Sequence, residues 1–308
     1  MTADHAPGTG DFGWRCAGLR WTPAAEPALL WRHPVHGERS SALSRGRAVA
    51  FTTGAARHCV GVRRGARHTA CPTLATVPLA AVSAQCPECA RLDRSYSVAA
   101  DTRADDPRPY DVYLAWFGPG AIKVGITATE REGVRLLEQA ALSYVLLGRG
   151  PLMAARRAEA VLGAALAVPD RIPYAAKRAA RATAPPRADR AAELAALHER
   201  ARALAALPDS LRPLPCEPVH HDAAFALGRR RPPGPVGLVR LAPHRTVVGS
   251  VEAVAGPDVE LLDADGRALL LDTRQLAGWP LTAADPKGAT TAPVHLAASA
   301  PPRPEALF

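Results

Sequence analysis

The chain has 308 residues, 48% of them apolar and 22% charged, with a net charge of +9. That length suffices for two or three domains, each with a buried core, and that balance excludes a disordered acidic or basic chain. No apolar run approaches the roughly 20 residues needed to cross a bilayer, and residues 1–13 lack the basic-then-apolar order of a secretory signal, so a soluble, cytoplasmic protein is expected. A basic surface points to an anionic partner, nucleic acid first of all. The charge carries modest weight, because only Lys123, Lys177 and Lys287 are lysine and alanine is abundant, a usage that reads as compositional bias.

Residues 14–57 alternate short apolar runs, such as Ala28 to Trp31 and Ala48 to Phe51, with turn residues, which predicts short strands. Four of the six cysteines, Cys59, Cys71, Cys86 and Cys89, then fall within about thirty residues. Cys86-Pro87-Glu88-Cys89 has the spacing that lets two thiolates grip one metal ion from a tight turn. Cys59 and Cys71 are the expected partners, with His58 and His68 as alternatives, and four thiolates would make a closed structural Zn²⁺ site. A redox pair is disfavoured, because no strand-then-helix setting surrounds the Cys-x-x-Cys. Cys16 and Cys216 stand apart and read as small core residues.

Residues 94–109, rich in Asp and Arg, read as a linker. From Tyr110 to Thr127 two β-favouring runs flank Gly118-Pro119-Gly120, a hairpin signal. Two polar side chains sit in this apolar setting, Tyr113 in the first run and Lys123 in the second. In a chain that defaults to arginine, Lys123 supplies a compact amine whose pKa can fall when desolvated. Thr127-Ala128-Thr129-Glu130 has a capping-box pattern and predicts a helix carrying Arg131 and Arg135 four apart on one face. Tyr144 to Leu147 reads as a third strand. Leu152 to Val168 reads as a helix whose stripe Ala155, Glu159, Leu162, Leu166 is apolar except for the glutamate. A carboxylate there needs an arginine or a metal ion.

Beyond this core, Ala176 to Leu207 should be helical with a break at Pro185-Pro186. Pro208 to Pro235 reads as a Pro-rich connection in which His220-His221-Asp222 is solvated. Val236 to Trp279 regains β character around the hairpin signature Asp265-Gly266. Residues 281–308, Ala- and Pro-rich, are expected to be a disordered tail. Neither a P-loop nor a Gly-x-Ser-x-Gly elbow is present.

The order Tyr113, Lys123-Val124-Gly125, Arg135, Glu159 over a β-β-α-β-α pattern resembles the GIY-YIG nuclease superfamily. The resemblance covers about residues 110–168; it lacks the first motif's glycine, having Val112 there, and has Lys123 where the family usually has tyrosine. The cysteine cluster, Val-Tyr-Leu-Ala-Trp-Phe-Gly, Lys-Val-Gly-Ile-Thr and Arg135 to Ala140 together also resemble an uncharacterised bacterial family known as domain of unknown function 2797.

The resemblances imply an α+β fold: a small GIY-YIG-like antiparallel sheet flanked by helices, with an N-terminal β/zinc-cysteine region and a C-terminal small β module. The expected units are 14–93, 110–207 with its helical extension, a barrel-like 236–280, and the tail. By that resemblance Glu159 holds Mg²⁺ or Mn²⁺, Lys123 or Tyr113 positions or deprotonates the attacking water, and Arg135 stabilises charge on the phosphate. Arg131, Arg135, Arg156 and Arg157 would bind nucleic acid, whether DNA or RNA. The function expected is metal-dependent endonuclease, or, on the same scaffold, non-catalytic nucleic-acid binding.

Overall fold

A computed structural model describes residues 13–33, 35–64, 67–95, 106–169, 171–229 and 235–296. It is a mixed α+β protein with several sheets. The expected linker falls largely on 96–105, and the last part of the expected tail on 297–308, both outside the described residues.

The centre is the hairpin of β7 (Pro109–Trp116) and β8 (Ile122–Ala128), joined by a turn at Gly118-Pro119-Gly120. Alternation along β7 sends Tyr110, Val112, Leu114 and Trp116 into the main core, and Tyr113, Ala115 and Phe117 into a second cluster with Leu136 and Ala141. β9 (Ser143–Pro151) pairs antiparallel with the other side of β7. Helix α3 (Leu152–Leu166) follows at once and packs Ala155, Ala158 and Leu162 on the main-core face. The element order is therefore β-β-α-β-α, as the residue pattern implies.

The helix expected from Thr127 is not continuous. A 3-10 turn at Thr129–Arg131 is followed by Glu132 and Gly133, both with positive φ, and then by a five-residue helix α2 (Val134–Glu138). No side chain caps the turn, so the capping box does not form. Gly133 forces the break: its φ of 78° suits glycine, and a Cβ there would lie 2.7 Å from the Tyr144 hydroxyl. Arg131 and Arg135 consequently sit on separate short elements and meet only through Glu138, at 2.7 and 3.8 Å.

The connector also departs from its expected form. Two short strands, β10 (Arg212–Pro213) and β11 (Val219–His220), add to the free edge of β9. His220-His221-Asp222 is not solvated: His221 is buried with Nδ1 2.7 Å from the Ala141 carbonyl, and His220 Nδ1 lies 2.8 Å from Ser143 Oγ. Asp222 accepts from Arg190 of helix α5 (Arg187–Arg202), whose guanidinium is itself buried and also donates to Ser143 Oγ. Unmet polar groups at the edge of β9 explain the docking, since a buried edge needs partners. Cys16 is a core residue as expected; Cys216, within this connector, is exposed instead.

The C-terminal β region is not an independent module. β13 (Thr246–Ala255) pairs on one side with β14 (Asp258–Leu262) and on the other with β4 (Ala48–Thr53). With β15 (Ala268–Asp272) and three shorter strands this makes one seven-stranded sheet shared by the two ends of the chain. Residues 281–296 are not a disordered tail: Leu281–Ala283 pairs with β4, and Val294–Leu296 closes the opposite edge against Gly237–Val239. A separate three-stranded sheet is formed by β1 (Arg15–Trp21), β2 (Pro27–His33) and β3 (Gly37–Ala42).

Helix α4 (Tyr174–Ala182) ties the core to the seven-stranded sheet. Arg178 and Arg181 both reach the fully buried Asp258, at 2.6 and 2.8 Å, and Arg178 also reaches Asp272 at 2.9 Å. Asp258→Ala should strand the buried Arg181 guanidinium and leave Arg178 with Asp272 alone, at a cost of about 3–5 kcal/mol. Urea unfolding of the variant beside the wild-type chain measures this; a loss under about 1 kcal/mol would show that the pairs are not holding the helix.

Candidate functional site

The four cysteines converge although two of them are far apart in sequence. β5 (Val62–Arg64) and β6 (Arg67–Thr69) form a hairpin whose two ends carry Cys59 and Cys71 to the same place. Cys86 and Cys89 arrive at the start of helix α1 (Pro87–Ser95). All four sulfurs lie within 4.8 Å of one another. Backbone N–H groups of Gly61 and Cys86 donate to Cys59 Sγ at 3.4 and 3.2 Å, the kind of support a thiolate needs. Burial and the neighbouring thiols push Cys89 up, whereas Cys71 is held down at about 6 against burial by hydrogen bonds from Thr73 and the Ala75 backbone. Such a crowd of sulfurs cannot all ionise without a central cation, so the donor set fits a metal ion. The two alternative ligands are engaged elsewhere: His58 Nδ1 lies 2.9 Å from the Leu74 carbonyl and His68 Nε2 lies 2.6 Å from that of Val60.

At the hairpin, Tyr113 stands opposite Gly125, and Lys123 stands opposite Ala115, two pairs further along and so on the same face. The Tyr113 ring lies flat over Gly125, where any Cβ would come within 2.3 Å of the phenol oxygen. That close approach is the reason for glycine in the Lys-Val-Gly motif. Gln139 Nε2 donates to the Tyr113 hydroxyl at 2.9 Å. Burial pushes the Tyr113 phenol above its ordinary value and Glu159 adds to this, while Gln139 and Arg135 pull it the other way. The Tyr113 phenol on β7 thus feels both Arg135 of α2 and Glu159 of α3.

Arg131, Arg135, Arg156 and Glu159 line one cleft of about 1330 Å³. The core side of this cleft also presents Arg108; the three-stranded sheet adds Arg20 and Arg32, the cysteine region adds Arg63, and Arg274 comes from the seven-stranded side. Eight arginines therefore face three carboxylates, Asp93, Glu138 and Glu159. Part of this charge is matched nearby, as Arg32 with Glu38 and Arg274 with Asp272. Arg157 lies exposed on α3 and does not line the cleft, so the expected basic set loses it.

The chain matches, over residues 46–281, the family described as Protein of unknown function (DUF2797). It belongs to that family. No curated protein and no solved structure matches it. The family match spans the cysteine cluster, the hairpin core and most of the seven-stranded sheet, which line the cleft together with the three-stranded sheet that lies before the match. No helix among the described residues is long and apolar enough to cross a membrane.

One residue beside this site escapes a reading by motif. Lys177 on α4 is the lysine that burial desolvates: it is 6% exposed, and its Nζ donates to the Gln139 carbonyl at 2.9 Å and sits 4.0 Å from the centre of the Phe117 ring. Burial first, then the charges of Lys123, Arg135 and Arg274, press its pKa down to about 7, with Asp258 opposing. The scarcity of lysine in this chain was the one available signal, and it applied to Lys177 as well as to Lys123.

The sign of the resulting pH dependence is fixed. Between about pH 7 and the ordinary lysine value the unfolded chain binds the extra proton, so this group's contribution to stability rises with pH across that window. Lys177→Met should remove the slope. The stability of the wild type minus that of the variant, measured by denaturation at pH 7 and pH 9, should increase; an unchanged difference would refute the depressed lysine.

Proposed function

We propose that this protein cleaves phosphodiester bonds in nucleic acid, with a GIY-YIG-like core as its active site and the four cysteines holding a structural Zn²⁺. The observation that carries the reading is the convergence of Tyr113, Arg135 and Glu159, with the latter two lining an arginine-dominated cleft. The β-β-α-β-α order and the antiparallel hairpin support the same comparison. Four sulfur ligands favour zinc among the divalent metals of a cell.

The donor set also fits a catalytic cation. Mg²⁺ is commonly held by one or two carboxylates together with substrate oxygens and water, and Glu159 offers one such carboxylate at the cleft. When bound there, Mg²⁺ or Mn²⁺ would neutralise charge developing on the scissile phosphate. Arg135 would bind the same phosphate with its planar fork. Tyr113 and Lys123, side by side on the sheet face, would position or deprotonate the attacking water.

A second reading is non-catalytic binding of nucleic acid on this scaffold. It is favoured by the deep burial of Tyr113, whose hydroxyl is already engaged by Gln139.

Three measurements separate these readings. Metal analysis of protein purified without added zinc should find zinc at one ion per chain, and chelation should loosen the region around the cysteines; protein free of zinc would remove the structural site. In a cleavage screen with Mg²⁺ or Mn²⁺, Glu159→Gln should abolish cutting and retain binding, and Arg135→Ala should slow it by about 10²–10³. Melting temperature recorded alongside excludes a purely structural ion pair. A fully active Glu159→Gln enzyme would rule out this site, and nucleic-acid binding with no cleavage of any substrate would leave the second reading.

A further inference from the structure

One flat surface in the cleft takes no part in the proposed chemistry. Among the described residues, the aromatic side chains lining the cleft are Trp21, Tyr110 and Tyr174. Trp21 is buried with its Nε1 donating to the Gly256 carbonyl, and Tyr110 is fully buried. Tyr174 is partly exposed, and Arg274 lies over its ring at 3.8 Å, with Lys177 Nζ 4.7 Å from the same centroid. Asp272 grips the Arg274 guanidinium along one edge, accepting from Nε at 2.9 Å and from Nη2 as well. The plane of the guanidinium is therefore set twice, by the carboxylate at its edge and by the ring against its face.

What this geometry leaves open decides the ligand. Tyr174 covers one face and Asp272 one edge, so the 31% of the Arg274 side chain that stays exposed comes from the stem, the Nη1 edge and the other face. Nη1 makes no hydrogen bond among the described residues and keeps some exposure. A phosphate would want the paired donors Nε and Nη2, which Asp272 already holds while matching the charge. A locked, charge-matched guanidinium offers its face instead, and unpaired nucleobases stack on guanidinium planes as they do on aromatic rings. A base inside a continuous duplex has both faces covered by its neighbours and is not free to do so. The stack also lies beside the candidate active site: Arg135 acts on the Tyr174 phenol, and Arg135 and Arg274 both press on Lys177.

We propose that Arg274, backed by Tyr174 and held by Asp272, stacks an unpaired nucleobase next to the phosphate that Arg135 binds. This rests on the nucleic-acid reading above and narrows its substrate to a strand with an unpaired base at the cleft, single-stranded or branched, over continuous duplex. The base rests on the guanidinium face, which leaves Nη1 to donate to an oxygen of the same nucleotide. The seven-stranded sheet thereby takes part in substrate choice, through a residue outside the hairpin core.

The test is binding by the full chain without added Mg²⁺ or Mn²⁺, so that cleavage plays no part. Fluorescently labelled DNA probes of one length are titrated: a single strand, the same strand made abasic throughout, and a blunt duplex. Wild type should bind the single strand about tenfold more tightly than the abasic one, within what one stacked base contributes. Arg274→Lys keeps a charge beside Asp272 but loses the flat face. It should forfeit that preference while leaving the abasic strand, the duplex and the salt slope as they were. Tyr174→Leu, which removes the backing ring, should lose the same preference, with melting temperature recorded for each variant. Wild type that binds the single and abasic strands alike would overturn the stacking site, whatever the stability of the variants, and leave the proposed function standing. An equal loss on all probes in Arg274→Lys would show a phosphate contact and overturn it as well. Failure of the wild type to bind any probe would remove the proposed function and the subsite with it.

Discussion

The buried carboxylate of Asp258 is the point on which the arrangement of this protein turns. It lies at the start of β14 in the seven-stranded sheet, and Arg178 and Arg181 of α4 both end on it. A buried carboxylate left alone would be very costly, and so would the buried guanidinium of Arg181; each is tolerable because of the other, with the half-buried Arg178 adding a second cation. Asp272, at the end of β15, extends the network to Arg178 and Arg274. Arg274 in turn stacks on Tyr174 at the start of α4. The hairpin core and the seven-stranded sheet are thereby fixed in one relation, and the cleft lies where they and the three-stranded sheet meet.

A single excess of positive charge runs through the site. Lys177 is held on ring faces with its pKa near neutrality, while Lys123, Arg135 and Arg274 lie close enough to press on it. The cleft beside it carries eight arginines for three carboxylates, with further matching from Glu38, Asp106, Glu130 and Asp272 at its margins. Like charges so gathered repel one another, and the folded protein tolerates this because packing elsewhere outweighs it. Sites built for function are where such local conflict with stability is expected.

The cysteine region takes part in this geometry as well as in its own folding. Its strand β5 carries Arg63 and its approach to α1 carries Gln85, and both line the cleft. The apolar core of this segment is small and is made of Cys59, Val62, Cys71, Val77 and Cys89, so the converging sulfurs are themselves a large part of what packs there. The cysteine cluster therefore sets the position of one wall of the cleft.

Local pattern sufficed for the elements whose partners are near in the chain. The β7–β8 hairpin was legible from two apolar runs about a Gly-Pro-Gly turn, α3 from a helical stripe broken only by Glu159, and the cysteine cluster from one Cys-x-x-Cys with two cysteines close by. Each rests on alternation, turn chemistry or ligand spacing, which short stretches encode. What only the tertiary structure decided depended on distant pairing. β4 joins β13 from the far side of the hairpin core, His221 and Asp222 dock on the edge of β9, and Arg20, Arg63 and Arg274 reach the cleft from three separate elements. No local period announces such meetings. A strand's hydrogen-bonding edges are alike along its length, and which one is covered, and by which distant segment, is settled by how the whole chain buries its polar groups.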